Sequence, residues 1–194
     1  MRQTILIVLF ITSAYLSFAR TEQANKSHQA ITYRDTTVSI ADTRQMLAAI
    51  MNVLGLQTDF ELKEAKVANI EASISHRKRY ILYNPSFISW INNTTKDKWA
   101  AIALMAHEVG HHLNGHTIKR SGSKPALELE ADEFAGFVLR KLGASLEQSQ
   151  EVMKYIASAE ASRTHPARAS RMTAIENGWS KATNPKGIIA TAKK

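Results

Sequence analysis

An apolar run from Trp99 to Ala106 leads straight into His107-Glu108-Val109-Gly110-His111. A helix apolar on every side must be buried, so the rest of the chain has to wrap around this segment. Residues four apart share a helical face. His107 and His111 can therefore point at one metal ion, with Glu108 on the adjacent edge, where it can hold a water at that metal. A glutamate flanked by two imidazoles on a buried helix is the arrangement that zinc-dependent hydrolysis of peptides needs.

The N-terminus bears on compartment. Arg2 supplies a small positive region, Ile5 to Ile11 is an unbroken apolar core, and Ser17-Phe18-Ala19 offers small residues where a signal peptidase reads. Residues 1–19 are expected to be a secretory signal cleaved after Ala19, which makes the protein exported, periplasmic or secreted. The alternative is an uncleaved N-terminal membrane anchor, for which the Ile5 to Ala19 stretch is short and is interrupted by Thr12, Ser13 and Ser17. The chain has no cysteine, so its stability must come from its core and from any metal it binds.

The remaining chain is long enough for one domain, expected over residues 35–178, between a flexible leader at 20–34 and a flexible basic tail at 179–194. The net charge of +8 gathers in Arg77-Lys78-Arg79, Lys119-Arg120, Arg140-Lys141 and the tail. Such charge permits peripheral contact with an anionic membrane surface. Nucleic acid is not expected as a partner, because no aromatic residues are interleaved with the basic ones.

Periodicity outlines an α+β domain, mainly helical. A helix is expected from Ser39 to Leu56, with Asp42 as its N-cap and Gly55 closing it. Residues 59 to 74 alternate and read as a strand, with Ala68, Ile70, Ala72 and Ile74 on its apolar face. His76 to Arg79 reads as a polar turn into a second short strand, Tyr80 to Tyr83, which makes a hairpin. A short helix or turn is expected at Pro85 to Ile91, then a loop at Asn92-Asn93-Thr94. The motif helix should run from about Thr95 to Asn114, with Gly115 as its C-cap. After a loop at Ser121 to Lys124, Pro125 suits the first turn of a helix that Gly143 ends. Leu146 to Ala161 reads as another helix. Thr164-His165-Pro166 is a turn, and a last helix runs to about Asn177.

Two histidines do not complete a tetrahedral metal site. The extended pattern HExxHxxGxxH fails, because Asn114 stands in place of its glycine and Thr117 in place of its third histidine. A second register, His112 with His116, has the right spacing but lacks a glutamate after its first histidine. A carboxylate from the following helix remains. Glu128 and Asp132 lie one turn apart there: Glu128 can bind the metal while Asp132 orients a ligand histidine. Glu130 and Glu133 are rotated away. His112 and His116 read as polar or capping residues.

Taken together, His107 to His111, Glu128-Leu-Glu-Ala-Asp132, and His165-Pro166 with Arg171 resemble the M48 family of gluzincin metallopeptidases, over roughly residues 68–178. The resemblance implies a zincin-like domain with a small hairpin or sheet beside the active-site helix. It implies one zinc ion held by His107, His111 and Glu128, with Asp132 behind the ligands. The link between His111 and Glu128 is shorter here than in most members. Glu108 would act as general base and then deliver its proton to the leaving amine. His165 is the candidate for stabilising the oxyanion, with Arg171 as its orienting or structural partner. The substrate would be an extended polypeptide, unfolded or from the cell envelope, paired along a strand edge carrying Ala68, Ile70, Ala72 and Ile74. The alternative function is a chaperone-like or scaffold protein that binds on the same fold with weak or latent cleavage.

Overall fold

The computed structural model describes residues 40–118 and 124–183. The expected signal, leader and 121–123 loop lie outside the described residues, as does the basic tail beyond 183. Among the described residues, no helix is long and apolar enough to cross a membrane. The described residues are mainly helical, with one three-stranded sheet among them.

Helix α1 spans Ile40–Leu54 and lays Leu47, Ile50 and Met51 into the core. Asp42 sits inside its first turn rather than at the N-cap, because the helix has already begun at Ile40. Gly55, in the left-handed region at φ 68°, ends it.

The single strand expected over residues 59–74 is two strands, β1 (Phe60–Glu64) and β2 (Ile70–Ser75). Strand β3 (Lys78–Tyr83) lies between them, parallel to β1 and antiparallel to β2. The crossing segment wraps the end of β3: Ala65 N donates to Tyr83 O at 2.9 Å, and Asn84 N donates to Asn69 O at 2.8 Å. Phe60 and Leu62 stand in phase with Ala68 to Ile74, but the charged Glu64 and Lys66 interrupt the alternation between them, and that interruption falls where the chain crosses. The hairpin turn is only His76-Arg77, both at positive φ (49° and 65°), which matches the twist a two-residue connection requires. Lys78 and Arg79, expected in the turn, belong to β3 instead. They pair across the sheet, Lys78 with Glu61 of β1 at 2.9 Å and Arg79 with Asp59, just before β1, at 3.3 Å.

Helix α2 runs Pro85–Thr95, longer than expected, and takes in the residues expected as a loop. The Asn84 side chain caps its start, and Lys96 at φ 52° ends it. Helix α3, Trp99–Leu113, therefore begins four residues later than the motif helix was expected to, with Asp97 Oδ1 accepting from Trp99 N at 3.1 Å. Every residue of α3 from Ala100 to His112 is buried. This is the central helix that the apolar run demanded.

Helix α4 covers Pro125–Leu142, and Gly143 at φ 99° closes it, as its proline and glycine imply. The helix expected over Leu146 to Ala161 is two short pieces, α5 (Leu146–Gln150) and α6 (Met153–Ile156). The chain beyond them is irregular because the Arg168 guanidinium takes the Ala157 carbonyl, at 2.9 Å from Nε and 2.8 Å from Nη2. Helix α7 spans Arg168–Thr183 and so continues past Asn177 into the expected tail. Trp179 there donates to Ala144 O at 3.0 Å, and Arg140 stacks over its ring at 4.1 Å.

Helices α4 and α7 approach unusually closely. A methyl group added at Gly136 would lie 2.0 Å from Ile175 O, and one at Gly178 would lie 1.7 Å from Glu133 O. Helix α3 packs between α4 on one side and β2 on the other.

Candidate metal centre

His107 and His111 leave α3 on one face, as their spacing requires, and α4 brings Glu128 against them. The His107 and His111 Nε2 atoms are 3.1 Å apart. Glu128 Oε2 lies 3.4 Å from His107 Nε2, and Glu128 Oε1 lies 3.7 Å from His111 Nε2. All three residues are buried, and together they form a group able to hold a metal ion. The approach of α4 depends on Gly110 inside the motif. A Cβ there would stand 3.0 Å from the Phe134 ring, tighter than ordinary packing.

Behind this group, His107 Nδ1 lies 2.9 Å from Asp132 Oδ1. Arg171, from α7, donates to both Asp132 oxygens. Arg171 is thus a partner of Asp132, and the close α4–α7 packing is what brings it within reach. Glu130 and Glu133 face elsewhere: Glu130 reaches His116, and Glu133 pairs with Lys181.

Glu108 is buried beside these three residues, and its Oε2 accepts from Ala72 N at 2.7 Å. The Ala72 amide therefore points away from β3, toward α3. Strand β2 is an edge of the sheet, and Ile70, Ala72 and Ile74 lie along it. Ala68 falls in the crossing segment, just before the strand begins. Ile70 and Ala72 are buried, but so are Asn69, Glu71 and Ser73, so both faces of β2 are covered.

His165 sits in the irregular chain before α7, half-buried, with Nδ1 2.8 Å from Thr164 Oγ1. Its Nε2 is buried and meets no hydrogen-bond partner among the described residues. Burial pushes its pKa down, and the charges on Glu128, Arg171, His107 and Asp132 are close enough to bear on it.

The electrostatics of the cluster favour added positive charge. Burial opposes ionisation of His107, yet the Asp132 and Glu128 carboxylates overcome it and lift His107 to about 10. Burial, reinforced by the charge on His107, drops His111 to about 3. Burial raises Glu108 to about 8. Asp132 resists its own burial because Arg171 and His107 hold it below the usual carboxylate range. A cation in this group would take over the role of the proton on His107.

His112 takes no part. It stacks on Phe60 at 4.8 Å, and its Nε2 lies 2.9 Å from Tyr80 O, which ties the helix to β3. His116, read from sequence as a polar or capping residue, is buried against His111, with Nδ1 to Nδ1 at 3.0 Å. A signal for this existed. Gly115 at a helix C-terminus implies a Schellman motif, which folds the next residue back over the one five positions earlier.

No protein-family model, curated protein or solved structure matches this chain.

Proposed function

We propose that the chain is a zinc-dependent endopeptidase with a zincin-like domain, similar to the M48 gluzincins, that hydrolyses extended segments of unfolded or envelope proteins. The observation that carries this reading is the convergence of three buried donors: the two Nε2 atoms lie 3.1 Å apart, and the Glu128 carboxylate reaches His107 through Oε2 at 3.4 Å and His111 through Oε1 at 3.7 Å. A tetrahedral zinc with bonds of about 2.0–2.1 Å spaces its ligand atoms about 3.4 Å apart. Two imidazoles and one carboxylate are also a donor set that suits zinc. His107, His111 and Glu128 would hold one ion per chain.

When bound, zinc lowers the pKa of a water and polarises a carbonyl. The remaining steps fall to the protein. Glu108 takes a proton from the attacking water on its carboxylate and passes it to the departing amine nitrogen. The flank of β2 away from β3 pairs with the substrate backbone beyond the Ala72 amide, which Glu108 already takes, and so sets the scissile bond beside Glu108. Residues Ala68, Ile70, Ala72 and Ile74 mark that edge. His165 donates from Nε2 to the oxyanion, since its ring is held neutral and its Nδ1 is occupied by Thr164. Asp132, fixed by Arg171, holds His107 in place.

The apolar leader and the signal-peptidase residues at 17–19 support export to the periplasm or medium, with N-terminal anchoring as the alternative.

Glu108→Gln tests the reading. The amide is nearly the same size and can still accept from Ala72 N. We expect the variant to retain zinc and to lose about 10²–10⁴-fold of its cleavage of unfolded casein. A variant that cleaves like the parent removes Glu108 from the chemistry. Undiminished binding of unfolded protein, with no cleavage by the parent, favours the chaperone-like alternative.

A further inference from the structure

We propose that His116, braced by Glu130, is a positioning residue that fixes the tautomer and orientation of His111 and so sets how tightly the centre holds its metal. This rests on reading His107, His111 and Glu128 as that centre.

At the end of α3, Gly115, at φ 72°, turns the chain. Gly115 N donates to His112 O at 3.2 Å, and His116 N donates to His111 O at 3.0 Å. These two bonds make a Schellman motif, which lays His116 directly over His111. The rings meet edge to face, with centroids 5.1 Å apart.

The hydrogen-bond roles can then run in only one direction. His111 turns Nε2 toward His107 and Glu128, so binding a metal there requires a lone pair on Nε2 and a proton on Nδ1. That proton must be donated, and the atom facing it at 3.0 Å is His116 Nδ1. His116 Nδ1 is then the acceptor, so its own proton sits on Nε2. Nε2 lies 2.9 Å from Glu130 Oε2, a carboxylate that can only accept when ionised. The chain Glu130–His116–His111 is consistent at every atom. His116 is buried, while Glu130 is largely exposed. The second ligand therefore has a support of its own, separate from the Arg171–Asp132 support behind His107.

The test is zinc affinity of the full chain, measured by competition with a chromophoric chelator. No step of it needs cleavage. His116→Phe keeps a flat ring but offers no acceptor, and we expect it to bind zinc about 10–100-fold more weakly. His116→Gln keeps both an acceptor and a donor and should recover most of that loss. Glu130→Ala, at an exposed position that leaves the core intact, should weaken binding by roughly tenfold. Long-range proton–nitrogen NMR should place the His116 proton on Nε2. Parent-like affinity in Glu130→Ala and in folded His116→Phe overturns the proposal and leaves the metal centre standing. Parent-like affinity in Glu130→Ala alone overturns it if His116→Phe does not fold. A parent chain that binds no zinc overturns both readings.

Discussion

Arg171 grips Asp132 through two hydrogen bonds of 2.7 Å, Nε to Oδ2 and Nη2 to Oδ1, with both side chains buried. The pair joins α7 to α4 across the interface that Gly136 and Gly178 keep close. Asp132 in turn stands 2.9 Å from the His107 ring. A fold-stabilising contact and the orientation of the His107 ring are therefore one structure. Arg171→Ala leaves a buried carboxylate without its fork and should cost about 3–5 kcal/mol in a urea titration of the metal-free protein. Arg171→Lys should recover only part, because an ammonium cannot engage both oxygens in the same plane. Parent-like stability in Arg171→Ala would remove this pair from the fold's support.

The α4–α7 contact makes a second prediction, independent of charge. Gly178→Ala puts a methyl group where the Glu133 carbonyl already stands, and backbone there cannot move aside as a side chain would. The helices must separate. The expected loss is about 1–3 kcal/mol or more, read as a lower melting temperature. Because separation withdraws Arg171 from Asp132, zinc affinity should fall with it. A neutral Gly178→Ala would show that the helices do not meet this closely.

His165 makes a third. Its unpartnered Nε2 is assigned to a charge that develops only during reaction. His165→Ala should therefore reduce kcat for casein by about 10²–10³-fold, with KM and zinc content little changed. A fall in zinc content instead would mean that the residue supports the ligands rather than the reaction.

Much of the site was legible in the sequence because its signals are local. His107 and His111 are one helical turn apart, and so are Glu128 and Asp132, so one face of each helix carries what the centre needs. Pro125 and Gly143 bracket α4 because each has a backbone preference that acts alone. The misread segments depend on distant partners. Strand β1 is a separate strand because it pairs with β3, although Glu64 and Lys66 already interrupt the alternation between it and β2. Ala157 leaves the helix because Arg168 takes its carbonyl. Asn92 to Thr94 are helical because Lys96, a residue without special turn preference, adopts the left-handed cap. Arg171 is expected from sequence beside His165, and its pairing with Asp132 appears only when α7 packs on α4. His116 lay within reach of a local rule, since Gly115 was recognised as the cap and the residue after such a glycine folds back on the helix.

The most direct test of the zinc-peptidase reading returns zinc stepwise to chelator-stripped protein and follows bound zinc and casein cleavage in the same samples. Cleavage should be absent at the start, rise in proportion to bound zinc, and level off at one zinc per chain. Stability should rise alongside, by about 2.7 kcal/mol when free zinc is about 100 times its dissociation constant. Cleavage that persists in the stripped protein, or one bound zinc per chain without cleavage, would contradict that reading.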